Sequence, residues 1–365
     1  MVMGSKSVKI QLILENGAVF YGNAFGYVKE AVGEVVFNTG LTGYQEAITD
    51  PSYAGQIVCM TYPLVGNYGI NLEDMESEKP RLAGFIVRGK CDYPNNWRTE
   101  MDLEGYLKQN KIIGMEGIDT RALTRILRDS GTMKGIITAR VDALTPSQIS
   151  QKFSTYSNKN VIEEVTTKEK YVMEGKGLHL AVMDMGTKTN ILRSLQKRGC
   201  KLTVYPAFST AEEILESNPD GIFITNGPGD PQNIPAIAEA VKTLIGKKPV
   251  VGICMGHQLI SIALGCTIER MKFGHHGGNH PAKNIDTGRC YITSQNHEFV
   301  VTKCTDDVEA NWINVNDGTV EGIRHKTLPV ASVQFHPEAC PGPTDTEFVF
   351  DNFIKIIEEG KKNYA

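Results

Sequence analysis

The side chain with the clearest chemical promise is Cys254. It stands in Val250-Val-Gly-Ile-Cys-Met-Gly-His-Gln258, where an apolar run meets Gly-x-Cys-x-Gly and passes straight into a helical pattern. That spacing predicts a strained strand-to-helix turn, a nucleophile elbow, whose glycines let one side chain project from a sheet edge. A cysteine there sits at a helix N-terminus, where unpaired N–H groups and the helix dipole favour the thiolate. A buried cysteine in a turn whose glycines serve packing alone would read the same locally.

A thiolate nucleophile needs a base, and the base needs a group to orient it. Of the eight histidines, His336 is best placed, because it follows the apolar run 329–335 and precedes Pro337-Glu338. A lone histidine after a strand is ordinarily structural. The neighbouring Pro-Glu, with proline steering Glu338 toward the imidazole, and a cysteine elbow in the same half of the chain favour a base. A third piece is Asn226-Gly-Pro-Gly-Asp-Pro231, directly after another apolar run. Such a loop at the C-terminal edge of a parallel sheet can aim backbone N–H groups into the ligand crevice. One of them, with the N–H of Met255, would form an oxyanion hole. Gly-Pro-Gly is also a common plain turn. His275, His276 and His280 lie in a glycine-rich stretch without common zinc spacing, so the expectation is a shaped loop and no metal.

These pieces need a frame. From residue 178 onward, apolar strand-like runs at 178–185, 200–205, 221–225 and 249–253 alternate with helical patterns at 187–199, 234–245 and 257–264. A capping box at Thr210–Glu213 opens another helix. Buried strands alternating with helices predict an α/β fold with a doubly wound, mostly parallel sheet over 178–365. Residues 1–156 read as a mixed α/β domain. It has a hairpin around Asn16-Gly17, strands at 56–62, 82–87 and 135–138, and helices capped by Asp119 and by Thr145 with Gln148. The polar, charge-rich stretch 157–177 reads as the connection between the two.

The 365 residues suit about two domains. A formal net charge of -4 without a basic run argues against nucleic acid and anionic membrane. No signal peptide or apolar span is visible, and the eight cysteines are scattered, so the expected compartment is the cytoplasm.

Together, Asn226-Gly-Pro-Gly-Asp-Pro, Gly252-Ile-Cys-Met-Gly-His-Gln and Gln334-Phe-His-Pro-Glu resemble the signature of class I, or triad, glutamine amidotransferases, in matching order. The resemblance implies that Cys254, His336 and Glu338 are catalytic. It also implies glutamine contacts from Gly227, Gly229, Met255, Gln258, Asn296, Glu298 and Phe299. Relatives often carry glycine where this chain has Glu298, which leaves a backbone contact as that residue's part.

The front half, through Val35-Val-Phe-Asn-Thr-Gly-Leu-Thr-Gly-Tyr-Gln45 and Thr61-Tyr-Pro-Leu-Val-Gly-Asn67, looks like the small subunit of carbamoyl-phosphate synthase. So does Met271-Lys-Phe-Gly-His-His-Gly-Gly-Asn-His-Pro281. Some relatives use serine at the position of Gly40 to touch glutamine, and here only the backbone could do so.

This resemblance implies that L-glutamine is hydrolysed and ammonia passed to a large subunit, in a heterodimer or an oligomer of heterodimers. No cofactor is expected in this chain, with ATP and magnesium on the large subunit. The front domain is expected to dock and scaffold. A cysteine peptidase or other acyl hydrolase could use the same elbow and histidine, and a regulatory subunit could lack chemistry altogether. Protection of Cys254 from alkylation by glutamine, and not by peptides or esters, separates the amidotransferase from the hydrolase, and the presence of Cys254, His336 and Glu338 together argues against a regulatory subunit.

Overall fold

The computed structural model describes residues 8–159 and 161–364. The chain divides after Asn158 into two compact units. In the first, the elements in order are β1 (Lys9–Leu14), β2 (Val19–Gly26), β3 (Ala31–Asn38), α1 (Tyr44–Thr49), β4 (Gln56–Met60), β5 (Leu64–Val65), β6 (Gly84–Ile86), β7 (Gly89–Lys90), α2 (Leu103–Gln109), β8 (Ile113–Glu116), α3 (Thr120–Ser130), β9 (Met133–Thr138) and α4 (Pro146–Thr155). Seven strands close a barrel in the order β1-β2-β8-β6-β4-β3-β9. The Asn16-Gly17 turn joins β1 to β2 with Gly17 at φ 87°, the left-handed region glycine tolerates. Asp119 accepts from the Ala122 N–H to start α3, and both bonds of the Thr145–Gln148 capping box start α4.

The second unit runs α5 (Val161–Val165), β10 (Tyr171–Met173), β11 (His179–Asp184), α6 (Thr189–Lys197), β12 (Lys201–Pro206), α7 (Ala211–Glu216), β13 (Gly221–Ile224), α8 (Pro235–Leu244), β14 (Val250–Ile253), α9 (Met255–Ala263), β15 (Thr267–Asn284), β16 (Cys290–Lys303), β17 (Val308–Asn314), β18 (Val320–His325), β19 (Val330–Val333) and α10 (Phe348–Gly360). Among the described residues these strands form one ten-stranded sheet, β10-β12-β11-β13-β14-β19-β18-β16-β15-β17. Side chains alternate across it. Met183, Ile222 and Ile224 pack with Ile214 of α7, Val241 of α8 and Leu259 of α9. Val182, Phe223 and Val251 pack with Leu195 of α6 and Phe350, Phe353 and Ile357 of α10. Each fully buried side chain of this size contributes roughly 1.5–3 kcal/mol, so both faces are anchored.

Three expectations are corrected. The sheet is parallel only through β12, β11, β13, β14 and β19; from β19 to β17 every pairing is antiparallel. These outer strands follow one another through short turns at Asp286-Thr-Gly288 and Asn316-Asp-Gly318, which allow only hairpins. The segment with His275, His276 and His280, expected as a loop, is part of β15, interrupted by register shifts. The stretch 157–177, expected as a connection, supplies α5 and the edge strand β10, whose backbone pairs with β12. No helix among the described residues is long and apolar enough to cross a membrane.

Candidate active site

Strand β14 ends at Ile253 and α9 begins at Met255, so Cys254 alone makes the turn. It does so at φ 54° and ψ −105°, in the left-handed half of conformational space that costs a non-glycine residue about 1–3 kcal/mol. The flanking glycines make that turn possible. A Cβ on Gly256 would come within 2.1 Å of the Ile224 carbonyl oxygen, and one on Gly252 within 2.9 Å of the Gly256 carbonyl carbon. The Gly256 N–H donates to Thr225 O at 3.0 Å, and the Cys254 N–H donates to Val333 O at 2.9 Å. The cysteine is thus pinned to the strand ends on either side. Its sulfur is buried and lies 3.6 Å from the Asn296 carbonyl oxygen on β16.

His336 follows β19, the neighbour of β14. Its N–H donates to Ser294 O at 2.9 Å, and its Nδ1 meets Glu338 Oε1 at 2.6 Å. Its Nε2 makes no hydrogen bond among the described residues. Burial works against protonation of His336. The Glu338 carboxylate and Cys254 outweigh it and push the imidazole up to about 10. Burial likewise opposes ionisation of Glu338, but Lys188 and then His336 overcome it and hold the carboxyl down at about 2.

Lys188 was not anticipated from sequence. Its Nζ is 3.0 Å from Glu338 Oε1 and donates to Ala339 O at 2.5 Å, while its own N–H donates to Asn226 Oδ1 at 3.0 Å. It is almost fully buried. The available signal was its place in the loop after β11, a third strand-end loop on the edge that carries Asn226 and Cys254.

The other expected residues take these positions. Gly227 presses against Met185, where a Cβ would sit 2.3 Å from the carbonyl oxygen, and Gly229 has φ 89°. Both lie in the loop after β13, beside Cys254's strand. Met255 opens α9, so its N–H has no intrahelical acceptor. Gln258, one turn on, donates to Phe299 O at 3.0 Å and Gln334 Oε1 at 3.2 Å, tying α9 to β16. Asn296 Oδ1 meets His276 Nδ1 at 2.9 Å. The Glu298 carboxylate is held by Arg270 at 2.8 Å. Gly40 belongs to the first unit, where its N–H donates to Asn38 Oδ1 at 2.7 Å. His257, bonded to Ser332 Oγ at 2.9 Å, is pushed by burial down to about 3 and is a neutral core residue.

A sulfur nucleophile, an imidazole and a carboxylate in series, buried at the ends of adjacent parallel strands, can carry out acyl transfer. Comparisons with known proteins give the same direction. Residues 12–137 match the family model described as carbamoyl-phosphate synthase small chain, CPSase domain, and residues 181–356 match that for glutamine amidotransferase class-I. The carbamoyl phosphate synthase small chain of Clostridium perfringens is 57% identical over 95% of this chain and 99% of its own. The pyrimidine-specific small chain of Bacillus subtilis is 48% identical, over 97% of this chain and 98% of its own. The small chain of Caldanaerobacter subterraneus is 50% identical, over 98% and 99%.

Proposed function

The chain belongs to the family of carbamoyl phosphate synthase small chains and carries a class-I glutamine amidotransferase domain, and from that premise we propose a route by which it hydrolyses glutamine. The doubly wound part of its sheet presents Cys254 on a nucleophile elbow. Cys254 passes its thiol proton to His336 as its sulfur attacks the side-chain amide carbon of L-glutamine. The oxyanion is met by the Met255 N–H and an N–H of the 227–229 loop. His336 gives its proton to the departing nitrogen, the C–N bond breaks, and ammonia leaves a γ-glutamyl thioester. His336 then takes a proton from water, which attacks the thioester; the C–S bond breaks, glutamate leaves, and His336 returns the proton to the sulfur, restoring the thiol.

Glu338 orients and charges the imidazole, and Lys188 holds Glu338. Gly227, Gly229, Gln258, Asn296, Phe299 and the main chain of Glu298 frame the substrate. Ammonia passes to a separate large subunit, which uses bicarbonate, ATP and magnesium to make carbamoyl phosphate for arginine and pyrimidine synthesis in the cytoplasm. This chain supplies no cofactor site to that step.

The observation that carries this reading is the strained Cys254 beside an imidazole bonded at 2.6 Å to a buried carboxylate. The test is Cys254→Ser in complex with the large subunit. Glutamine-dependent carbamoyl phosphate synthesis should vanish, while synthesis from concentrated ammonia persists. Loss of both activities in a normally assembled complex would overturn the division of labour.

A further inference from the structure

Along β16, Gln295 and His297 alternate with Asn296 and therefore project to the side of the strand away from it. Both are buried, and the hydrogen bonds around them leave an imbalance. His297 Nδ1 lies 3.0 Å from Phe299 O, which can only accept, so Nδ1 carries the proton and Nε2 the lone pair. Nε2 nevertheless lies 2.6 Å from Gln295 Oε1, a second acceptor. Rotating the carboxamide does not help, because its NH2 group already donates to Thr293 Oγ1 at 3.1 Å and Glu321 Oε1 at 2.8 Å. Two electron-pair holders at that distance need a proton or a metal ion between them.

The same pocket holds further donors of electron pairs. His275 Nδ1 lies 3.2 Å from Gln295 Oε1, while its Nε2 is bonded to Asp317 Oδ2 at 2.8 Å. Glu321 on β18 is fully buried, and its Oε2 has no hydrogen bond among the described residues. One ligand atom each from His275, His297 and Glu321 lie within 4.8 Å of one another. A first-row metal at about 2.1 Å from each ligand spans at most about 4.2 Å, so sub-ångström side-chain movements close the gap. On both histidines the second ring nitrogen is held by an oxygen, from Asp317 and from Phe299. Metal-ligating histidines ordinarily carry such a partner, which fixes the tautomer.

We propose that His275, His297 and Glu321 bind a divalent transition-metal ion, with Gln295 Oε1 as a neutral fourth ligand, locking β15, β16 and β18 together behind the Asn296 main chain. Two imidazoles and a carboxylate suit zinc and its first-row neighbours. The expectation of no metal weighed the histidines of 275–280 by themselves. The fold replaces two of those three with His297 and Glu321 from later strands.

The experiment uses the full chain with Cys254→Ser, so that metal cannot sit on the active-site thiol, stripped with chelator and titrated with zinc and cobalt. One equivalent of zinc should bind. At a hundredfold excess over Kd the unfolding midpoint should rise by roughly 5–10 °C. Glu321→Gln, which keeps the shape and removes the charge, should weaken zinc at least tenfold and erase most of that rise. Cobalt should show ligand-field bands without a thiolate charge-transfer band. No uptake, uptake undiminished in Glu321→Gln, or a thiolate band would each overturn the site; no uptake would mean that a proton alone satisfies His297.

Discussion

Replacing Lys188 with methionine isolates the least visible part of the active site. Lys188 Nζ and Glu338 Oε1 are 3.0 Å apart with both side chains almost wholly buried, so the pair is little screened by solvent. Removing one member of such a pair typically costs about 3–5 kcal/mol, because the other is left as an uncompensated buried charge. The ionisation of Glu338 gives an independent figure. Its fall from 4.5 to about 2, achieved against burial by Lys188 and His336, is worth roughly 3 kcal/mol at ~1.4 kcal/mol per unit. The charge of Lys188 is the largest single favourable influence.

A depressed carboxyl stabilises the fold fully above its unfolded value near 4.5, and that stability drains away as pH falls toward 2. The stability gap between wild type and Lys188→Met should therefore be widest at pH 6–7, about 2–4 kcal/mol in urea unfolding. It should narrow measurably by pH 3.5. Glutaminase kcat should fall about tenfold to a hundredfold as Glu338 and His336 lose their set geometry. KM should move less, because the ammonium of Lys188 is committed to Glu338 and the Ala339 carbonyl. A gap that stayed constant from pH 7 to 3.5, or full kcat in the variant, would refute the assignment.

Within the triad, His336→Asn should lose about 10²–10⁴ in glutaminase rate and Glu338→Gln less; equal losses would mean that Glu338 does more than orient. The stability contributed by His336, whose value is raised, should be complete below about 6.5 and fade as pH climbs to about 10, seen in urea titrations that compare wild type with His336→Asn. Gly256→Ala forces a Cβ to within 2.1 Å of Ile224 O and should destabilise by several kcal/mol or abolish folding; a soluble variant with an unchanged midpoint would show that β13 and α9 can part cheaply.

What was legible in the sequence was what local sterics dictates. Gly252 and Gly256 announce the Cys254 turn because no larger residue fits against Ile260 and Ile224, and that constraint spans only five residues. His336-Pro-Glu338 is equally compact. The alternating helices and strands through β14 were readable because their period is regular. Lys188 was not, since lysine belongs by default on the surface and its partners lie far along the chain. The outer hairpins were obscured by β15, where glycines and register shifts break the two-residue alternation. Strand β10 is three residues of mixed character, too short to carry a period. Glu298 illustrates a subtler limit: its type was noted, but only the pairing of Arg270 with Phe299 shows that Arg270 is there to hold its carboxylate.

The hydrogen bond from Cys254 to Val333 has a bearing on how the site comes into being. It joins the ends of β14 and β19, and everything from α9 to β18 lies between them in the chain. Cys254 and His336 therefore meet only when a long loop closes, a slow event for a flexible chain. The intervening strands soften this, because β15 with β16 and β17 with β18 are hairpins of neighbouring sequence that can form early and locally. Once folded, they draw the two ends together as a block. Docking that block sets Cys254 beside His336, and a chain that stopped short of β19 would hold the cysteine without its imidazole neighbour.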